Sequence, residues 1–174
     1  MIFEDFNDFL KDTEVEAERY KRYRTPLTIV VFSIKFNSKD WEINYLHKIM
    51  FDLRVKLEQK IRKTDSISRY RNSLFVSLKN LAVDKSVGFI NRFFESIDKD
   101  IKESYKKFIN EREMVLVDVI INVYLISLSE NVEEKNVIFI SDFNVNSFLE
   151  LINSIDDEKV FEKWDLRIPI VERI

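Results

Sequence analysis

Apolar residues are distributed along this chain in two patterns. Apolar residues recur every three or four positions within residues 6–23, 46–61 and 85–107, while residues 27–34 and 114–127 are nearly continuous apolar runs rich in valine and isoleucine. The recurrence every three or four residues places apolar side chains on one face of a helix, and a continuous run rich in valine and isoleucine is typical of a buried strand. The sequence therefore predicts three helices and two long strands over these ranges.

A β-hairpin is predicted between the second and third helices. Residues 66–70 and 74–78 are short β-forming segments separated by a gap of hairpin length. Asparagine tolerates the left-handed backbone that tight turns need, so we expect Asn72 to take a positive φ. Ser38 or Asp40 is the expected N-cap of the helix that precedes this hairpin.

The C-terminal part of the chain has a weaker pattern. It predicts a short strand over residues 136–140, a helix over 145–155 and a last strand over 166–171. Proline cannot donate a backbone hydrogen bond to a neighbouring strand, so Pro169 places the last strand at a sheet edge.

The order helix, strand, helix, strand, strand, helix, strand favours an α+β fold. Such an order can build a central antiparallel sheet with helices packed around it, as in ferredoxin-like folds. With 174 residues and 45% hydrophobic composition, we expect a single domain over residues 1–174. In this division an N-terminal helix at about 4–24 precedes a core at about 25–130 and a divergent C-terminal segment at 131–174.

Charge and composition exclude several classes of function. A net charge of −3 gives no general cationic field, so we expect no binding to a nucleic-acid polymer. The longest apolar run, residues 114–128, is shorter than the roughly 20 residues of a membrane span and contains Asp118, so no membrane insertion is expected. The absence of cysteine excludes disulfides and thiolate metal sites, and the N-terminus lacks a signal-peptide pattern. We expect a cytoplasmic protein.

Four sequence landmarks lie between about Phe9 and Tyr124. They are a basic helix end followed by Pro-Leu at residues 19–27, the approach to the hairpin at 64–70, a later strand at 118–123, and the pair Arg62 and Asp65 five residues before the hairpin turn. This arrangement resembles the GGDEF family of diguanylate cyclases, which join two GTP molecules into cyclic di-GMP. The resemblance implies a GGDEF-type fold with helices around a central antiparallel sheet.

The resemblance also implies a metal site, and the chain departs from the family at that site. In the family, an Asp at the end of the first strand and the third residue of the signature hold divalent metal on the GTP phosphates; here these positions are Ser33 and Ser73. Lys35 replaces a second acidic residue, and Leu74 stands where the signature has Glu. Hydroxyls lack the anionic oxygen that a hard cation prefers. We therefore expect no metal, no cofactor and no catalytic residue.

Nucleotide positioning is altered as well. Arg71 and Asn72 replace the two signature glycines whose bare backbone approaches GTP in the family. The elements that recognise guanine and ribose are absent from residues 36–47. The comparison predicts a catalytically inactive signalling domain, a pseudoenzyme rather than an enzyme.

The pair Arg62 and Asp65 has a different role in the family. Such an RxxD site binds intercalated cyclic di-GMP, with Arg contacting a guanine edge or phosphate and Asp accepting from guanine N–H groups. The resemblance thus implies ligand binding by Arg62 and Asp65, and by Arg92 on the next helix. Arg69 and Arg71 are candidates for further phosphate contacts, and strand alternation predicts that both point to one face.

Three alternatives stay open at this point. Arg62 and Asp65 can form an exposed surface pair that contributes at most about 1 kcal/mol. The domain can act without a ligand, as a protein-interaction or scaffolding domain with a protein partner or a second copy of itself. Finally, Lys35 can stand in for the metal charge and allow nucleotide binding at the old site. The expected partners are therefore cyclic di-GMP and a protein or homodimer.

Overall fold

The structure is a computed structural model that describes residues 1–36, 42–108, 114–129 and 136–171. Its helices and strands follow the predicted order, with one additional strand at the N-terminus. They are β1 (Ile2–Phe3), α1 (Phe6–Tyr23), β2 (Leu27–Phe36), α2 (Glu42–Lys60), β3 (Ser66–Tyr70), β4 (Ser73–Lys79), α3 (Val83–Phe108), β5 (Met114–Leu128), β6 (Val137–Phe139), α4 (Val145–Ser154) and β7 (Glu162–Val171). The expected caps Ser38 and Asp40 lie outside the described residues.

The described strands form one sheet of seven strands in the order β1-β3-β4-β2-β5-β6, with β7 also paired to β5. The pairs β3–β4, β4–β2, β2–β5 and β5–β7 are antiparallel. The two short strands β1 and β6 run parallel to β3 and β5. The predicted α+β fold is confirmed, but the sheet is mixed rather than wholly antiparallel because of these two additions.

Two details of the strands differ from the sequence predictions. Strand β7 begins at Glu162, four residues earlier than predicted, because the alternation of apolar and charged residues already starts with Trp164 and Leu166. Pro169 lies in β7 opposite Leu116, and β7 pairs only with β5 among the described strands, so the edge position is confirmed.

The expected positive φ at Asn72 is wrong. The left-handed residue of the turn is Arg71, with a φ of 54°. The Asn72 side chain donates to the Ile34 carbonyl at 2.9 Å, and the Ile34 N–H donates to the Asn72 carbonyl at 3.0 Å. Arg71 and Asn72 are the two turn residues between β3 and β4, and two-residue hairpin turns take a positive φ at the first of them.

The continuous apolar run of β2 is explained by helices on both faces of the sheet. Successive residues of a strand point to opposite faces. Val30 and Phe32 pack with residues of α2 and α3, whereas Ile29 and Val31 pack with residues of α1 and α4. Since both faces of β2 are covered, every position in the run from Leu27 to Phe32 is buried.

Helix α1 is attached to the hairpin by a partly buried polar cluster. The Lys79 ammonium lies 2.8 Å from an Asp12 carboxylate oxygen, and the Ser66 hydroxyl donates to the same carboxylate at 2.7 Å. The Lys79 and Asp12 side chains are 15% and 22% exposed, so neither charge is free in solvent. The cluster therefore links α1 to β3 and β4. No helix of the described residues is long and apolar enough to cross a membrane.

Candidate functional site

Asp65 organises the turn that connects α2 to β3. The helix ends at Lys60, and the Asp65 N–H donates to the Arg62 carbonyl at 3.0 Å. In return, the Asp65 carboxylate accepts from the Arg62 backbone N–H at 2.9 Å. The Arg62 backbone thus makes two hydrogen bonds to Asp65, one through its carbonyl and one through its N–H, in addition to those of the arginine side chain.

The Asp65 carboxylate is buried, with 1% of the side chain exposed. In addition to the Arg62 backbone N–H, it accepts from Arg62 Nε at 3.0 Å, Arg62 Nη2 at 2.9 Å and the Lys79 N–H at 3.2 Å. Arg62 Nη2 also donates to the Lys79 carbonyl. This arrangement, which we call the Asp65 bracket, fastens the α2–β3 turn to the end of β4. The alternative of an exposed surface pair is wrong, because one partner is fully buried.

The three predicted ligand residues line one cavity. Arg62 and Asp65 line it from the turn after α2, and Arg92 lines it from α3. The cavity has a volume of about 290 Å³. We call it the basic cavity; its other lining residues are Lys60, Leu78, Leu81, Lys85, Gly88 and Phe89. The geometry brings the predicted residues together, and their binding of a ligand stays a prediction.

The positive charge of the basic cavity is poorly compensated. Asp65 is its one carboxylate, and Arg62 already pairs with it. Within the described parts of the chain, no carboxylate lies at ion-pair distance from Lys60, Lys85 or Arg92. Like charges held close together repel, so the cavity favours an anionic ligand.

Arg69 and Arg71 lie away from the basic cavity. Arg69 Nη1 is 3.1 Å from His47 Nδ1, on the side of α2. Arg71 Nη1 donates to the Asn153 side chain of α4 at 3.2 Å. The two arginines therefore do not share a face, because Arg71 belongs to the turn and does not continue the alternation of β3.

A second cavity lies where β2 meets the hairpin. Ser33 and Ser73, the positions that the resemblance assigns to metal ligands, are paired across β2 and β4. They line a cavity of about 220 Å³ together with Lys35. We call it the hairpin cavity; its other lining residues are Val31, Tyr70, Arg71, Asn72, Tyr124, Ile152, Asn153 and Ile155.

The C-terminal segment forms one wall of the hairpin cavity. Ile152, Asn153 and Ile155 come from α4 and the residue after it. Lys35 Nζ lies 3.3 Å from the Asp157 carboxylate in the following 3₁₀ turn. Burial raises the pKa of the Tyr124 phenol, and the nearby Asp157 carboxylate raises it further, so Tyr124 presents a neutral hydroxyl. The cations of this cavity therefore already contact groups of the same chain.

A further cavity, of about 430 Å³, lies between α2, α3 and β7. Its walls are mostly apolar, and the Lys56 and Asp100 side chains within it pair with each other. It contains none of the residues that the sequence analysis proposed for ligand or metal binding. Its lining is therefore mainly a packing surface, and we assign it no ligand-binding role.

Comparison with solved structures assigns the fold. A DGC protein from Thermotoga maritima superimposes with a TM-score of 0.57 at 18% sequence identity, covering 86% of this chain and 93% of that one. This chain has a GGDEF-like fold. Lower similarity is found to a GGDEF domain from Pseudomonas aeruginosa (TM-score 0.48, 10% identity, 68% and 73% coverage) and to a microbial GGDEF domain studied with cyclic di-GMP (0.46, 12%, 70% and 69%). No protein-family model matches the sequence, and neither does any curated protein.

The sequence of this GGDEF-like domain did not lead us to predict that Lys60, Lys85 and Gly88 line the basic cavity. A signal was present on α3, since Lys85, Gly88 and Arg92 are spaced by three and four residues and so share one helix face. Lys60 gives no such signal, because only the packing of the end of α2 beside β4 and α3 places it at the cavity.

The Asp65 bracket predicts an asymmetry between its two partners. Asp65→Ala should lower the free energy of unfolding by about 3 kcal/mol, because it leaves the Lys79 N–H and the Arg62 donors without their acceptor. Arg62→Ala should cost less, about 1–2 kcal/mol, since it removes the counter-charge and two of the four hydrogen bonds of Asp65 but leaves both backbone donors in place. Urea unfolding of both variants measures this difference.

Lys63→Ala is the control, because Lys63 is exposed and lies in the same turn. It should change the free energy of unfolding by less than about 0.5 kcal/mol. A loss for Asp65→Ala no larger than that for Lys63→Ala would show that the buried carboxylate does not hold the turn together.

Proposed function

We propose that this GGDEF-like domain is a catalytically inactive receptor for cyclic di-GMP, which it binds at the basic cavity. One observation carries the proposal: Arg62 and Arg92 flank a single cavity whose remaining cations, Lys60 and Lys85, have no carboxylate partner in the described residues. Cyclic di-GMP carries two phosphodiester anions and two guanine bases. It therefore matches both the charge and the planar donors of the two arginines.

The apolar part of the basic cavity's lining suits a base. It consists of Leu78, Leu81 and Phe89, which line the cavity together with the charged residues. A guanine ring packed on such a surface loses contact with water on one side, while guanidinium groups pair with its edge or with the adjoining phosphate. A volume of about 290 Å³ is at the lower end of small-molecule sites, roughly 300–1,000 Å³. One half of the dinucleotide would enter the cavity, and the other half would lie over the rim.

Asp65 has an indirect role in this proposal. Its carboxylate already accepts four hydrogen bonds from Arg62 and Lys79. Three of these donors belong to Arg62, so Asp65 fixes that guanidinium at the cavity edge before the ligand arrives. A direct bond from guanine to Asp65 would first require one of the internal bonds to be exchanged. We therefore assign ligand contact to Arg62 and Arg92, and positioning of Arg62 to Asp65.

The proposed lack of catalysis rests on the hairpin cavity. The cross-strand pair Ser33 and Ser73 offers neutral hydroxyls, and the Lys35 ammonium lies in the same cavity. This set of groups does not fit a divalent cation, which prefers anionic oxygen ligands and would be repelled by the ammonium. The wall formed by Ile152, Asn153 and Ile155 further reduces the space beside the hairpin. Without a divalent cation, the domain lacks the metal that positions the triphosphate and neutralises its charge during transfer.

We expect no cyclic di-GMP from GTP and magnesium when purified domain is incubated at micromolar concentration. Mass-spectrometric detection of the product measures this. Ser33→Asp combined with Ser73→Asp should not restore synthesis, because Lys35 and Arg71 still occupy the cavity. Product above the protein-free background from the wild-type domain would refute the proposed inactivity.

Calorimetric titration of cyclic di-GMP should show binding at micromolar or lower Kd. Arg62→Ala and Arg92→Ala should each weaken binding by about tenfold or more, the effect of losing one charge-assisted pair. Lys63→Ala is the matched control, because it removes an equal charge beside Arg62 without lining the cavity. Asp65→Ala is unsuitable as the main test, since it is expected to destabilise the fold.

Two results would contradict the receptor proposal. The first is a folded wild-type domain that does not bind the dinucleotide. The second is an equal loss of affinity in Lys63→Ala and Arg62→Ala, which would indicate attraction to net charge and no defined site.

The second candidate function is a ligand-free interaction domain. The observation that favours it is the internal saturation of Asp65, which leaves this carboxylate without a free acceptor for a ligand. In that case the Asp65 bracket is purely structural. A protein partner, homodimer formation and a cytoplasmic location all stay predictions.

A further inference from the structure

The single glycine of the chain, Gly88, lies in an unfavourable place. It is in the interior of α3, which runs from Val83 to Phe108. Glycine destabilises a helix interior relative to alanine, because it loses more backbone entropy on folding. Gly88 has no positive φ, so its backbone conformation does not require glycine. Another physical reason must account for the missing side chain.

That reason is the guanidinium of Arg92. A Cβ atom added at Gly88 would lie 3.3 Å from Arg92 Nη1, closer than an ordinary contact. Leaving aside its chain neighbours and the backbone of its own helix, no other heavy atom of the described residues lies within 4 Å of that position. Close packing of another helix or strand therefore does not explain the glycine. Arg92 bends back by one turn of α3, and its guanidinium rests beside the bare Cα of Gly88.

We propose that Gly88 is a positioning residue that holds the Arg92 guanidinium at the wall of the basic cavity, facing a cyclic dinucleotide. The inference rests on the proposed function and adds a residue to it. Gly88 and Arg92 both line the cavity from α3, and Arg62 lines it from the α2–β3 turn. With both arginines at one cavity, one ligand with two phosphodiester groups can engage both of them.

A methyl group at residue 88 would disturb this arrangement without harming the fold. The arginine side chain is flexible, so its guanidinium would shift by a few tenths of an ångström to relieve the contact. Paired hydrogen bonds to a phosphate or a guanine edge depend on the position of a planar donor, and a small displacement weakens both bonds together. Stability and affinity should therefore change in opposite directions.

The test is Gly88→Ala, measured by thermal unfolding and by calorimetric titration of cyclic di-GMP. We expect the Tm of the free domain to rise by about 2–4 °C, because alanine favours the helix. We expect the affinity to fall by about fivefold to tenfold, as one arginine contact is misplaced. Asn91→Ala is the matched control, since Asn91 is exposed on the same helix and does not line the cavity. It should raise the Tm and leave the affinity unchanged.

The Arg92→Ala background separates positioning from a general structural effect. In that background Gly88→Ala should leave the remaining affinity unchanged, because there is no guanidinium to displace. If the wild type binds the dinucleotide and the Gly88→Ala variant binds it equally well, this inference alone is overturned. Absence of binding by the folded wild type would overturn the proposed function as well. Loss of affinity by Gly88→Ala in both backgrounds would also contradict a role through Arg92.

Discussion

The structure depends on the burial of one negative charge. Asp65 is almost inaccessible to solvent, and a buried carboxylate is tolerated only when donors surround it. Its four hydrogen bonds join the end of α2, the start of β3 and the end of β4 in one place. Lys79 extends this connection, since its backbone meets Asp65 while its ammonium pairs with Asp12 on α1. Both faces of the sheet are thus linked through the strand end that the Asp65 bracket holds.

The two cavities differ in how far the chain itself satisfies their charges. At the hairpin cavity, Lys35 meets Asp157 and Arg71 meets Asn153, so the C-terminal segment engages both cations. At the basic cavity, Lys60, Lys85 and Arg92 have no such partner among the described residues. This difference is why we assign ligand binding to the basic cavity. A cavity lined by unpaired cations and apolar side chains favours an anion with a flat ring, whereas a cavity whose cations are already paired within the chain has less to offer a ligand.

Local sequence patterns predicted most of the fold. The helical period defined α1 and α3 to within two residues, and the apolar runs defined β2 and β5, because these segments bury long continuous faces. The two-residue strand β1 was beyond such reasoning, since no period exists over two residues. The positive φ of Arg71 was also missed, because residue type favours asparagine at such a position whereas the turn between β3 and β4 places it on the first turn residue, Arg71.

The site was predictable only in part. Arg62 and Asp65 stand out through their spacing before the hairpin, yet nothing in that spacing reveals that Asp65 is buried and bonded to Lys79, fourteen residues away. Lys60 and Gly88 line the cavity only because α2 and α3 pack around it, which the sequence spacing does not reveal. Sequence spacing identifies residues that one element brings together, and tertiary packing decides which charges and spaces they share.

The most direct test of the account is a cyclic di-GMP titration followed by ¹⁵N NMR of the backbone amides and the arginine Nε–Hε groups. The account predicts that the largest shifts fall on Arg62, Arg92 and the backbone from Lys85 to Arg92, while Lys35, Arg71 and α4 stay unchanged. The Asp65 amide should remain protected from exchange throughout, because the Asp65 bracket persists in the complex. Shifts centred on Ser33, Ser73 and Lys35, or no shifts at all, would contradict the account.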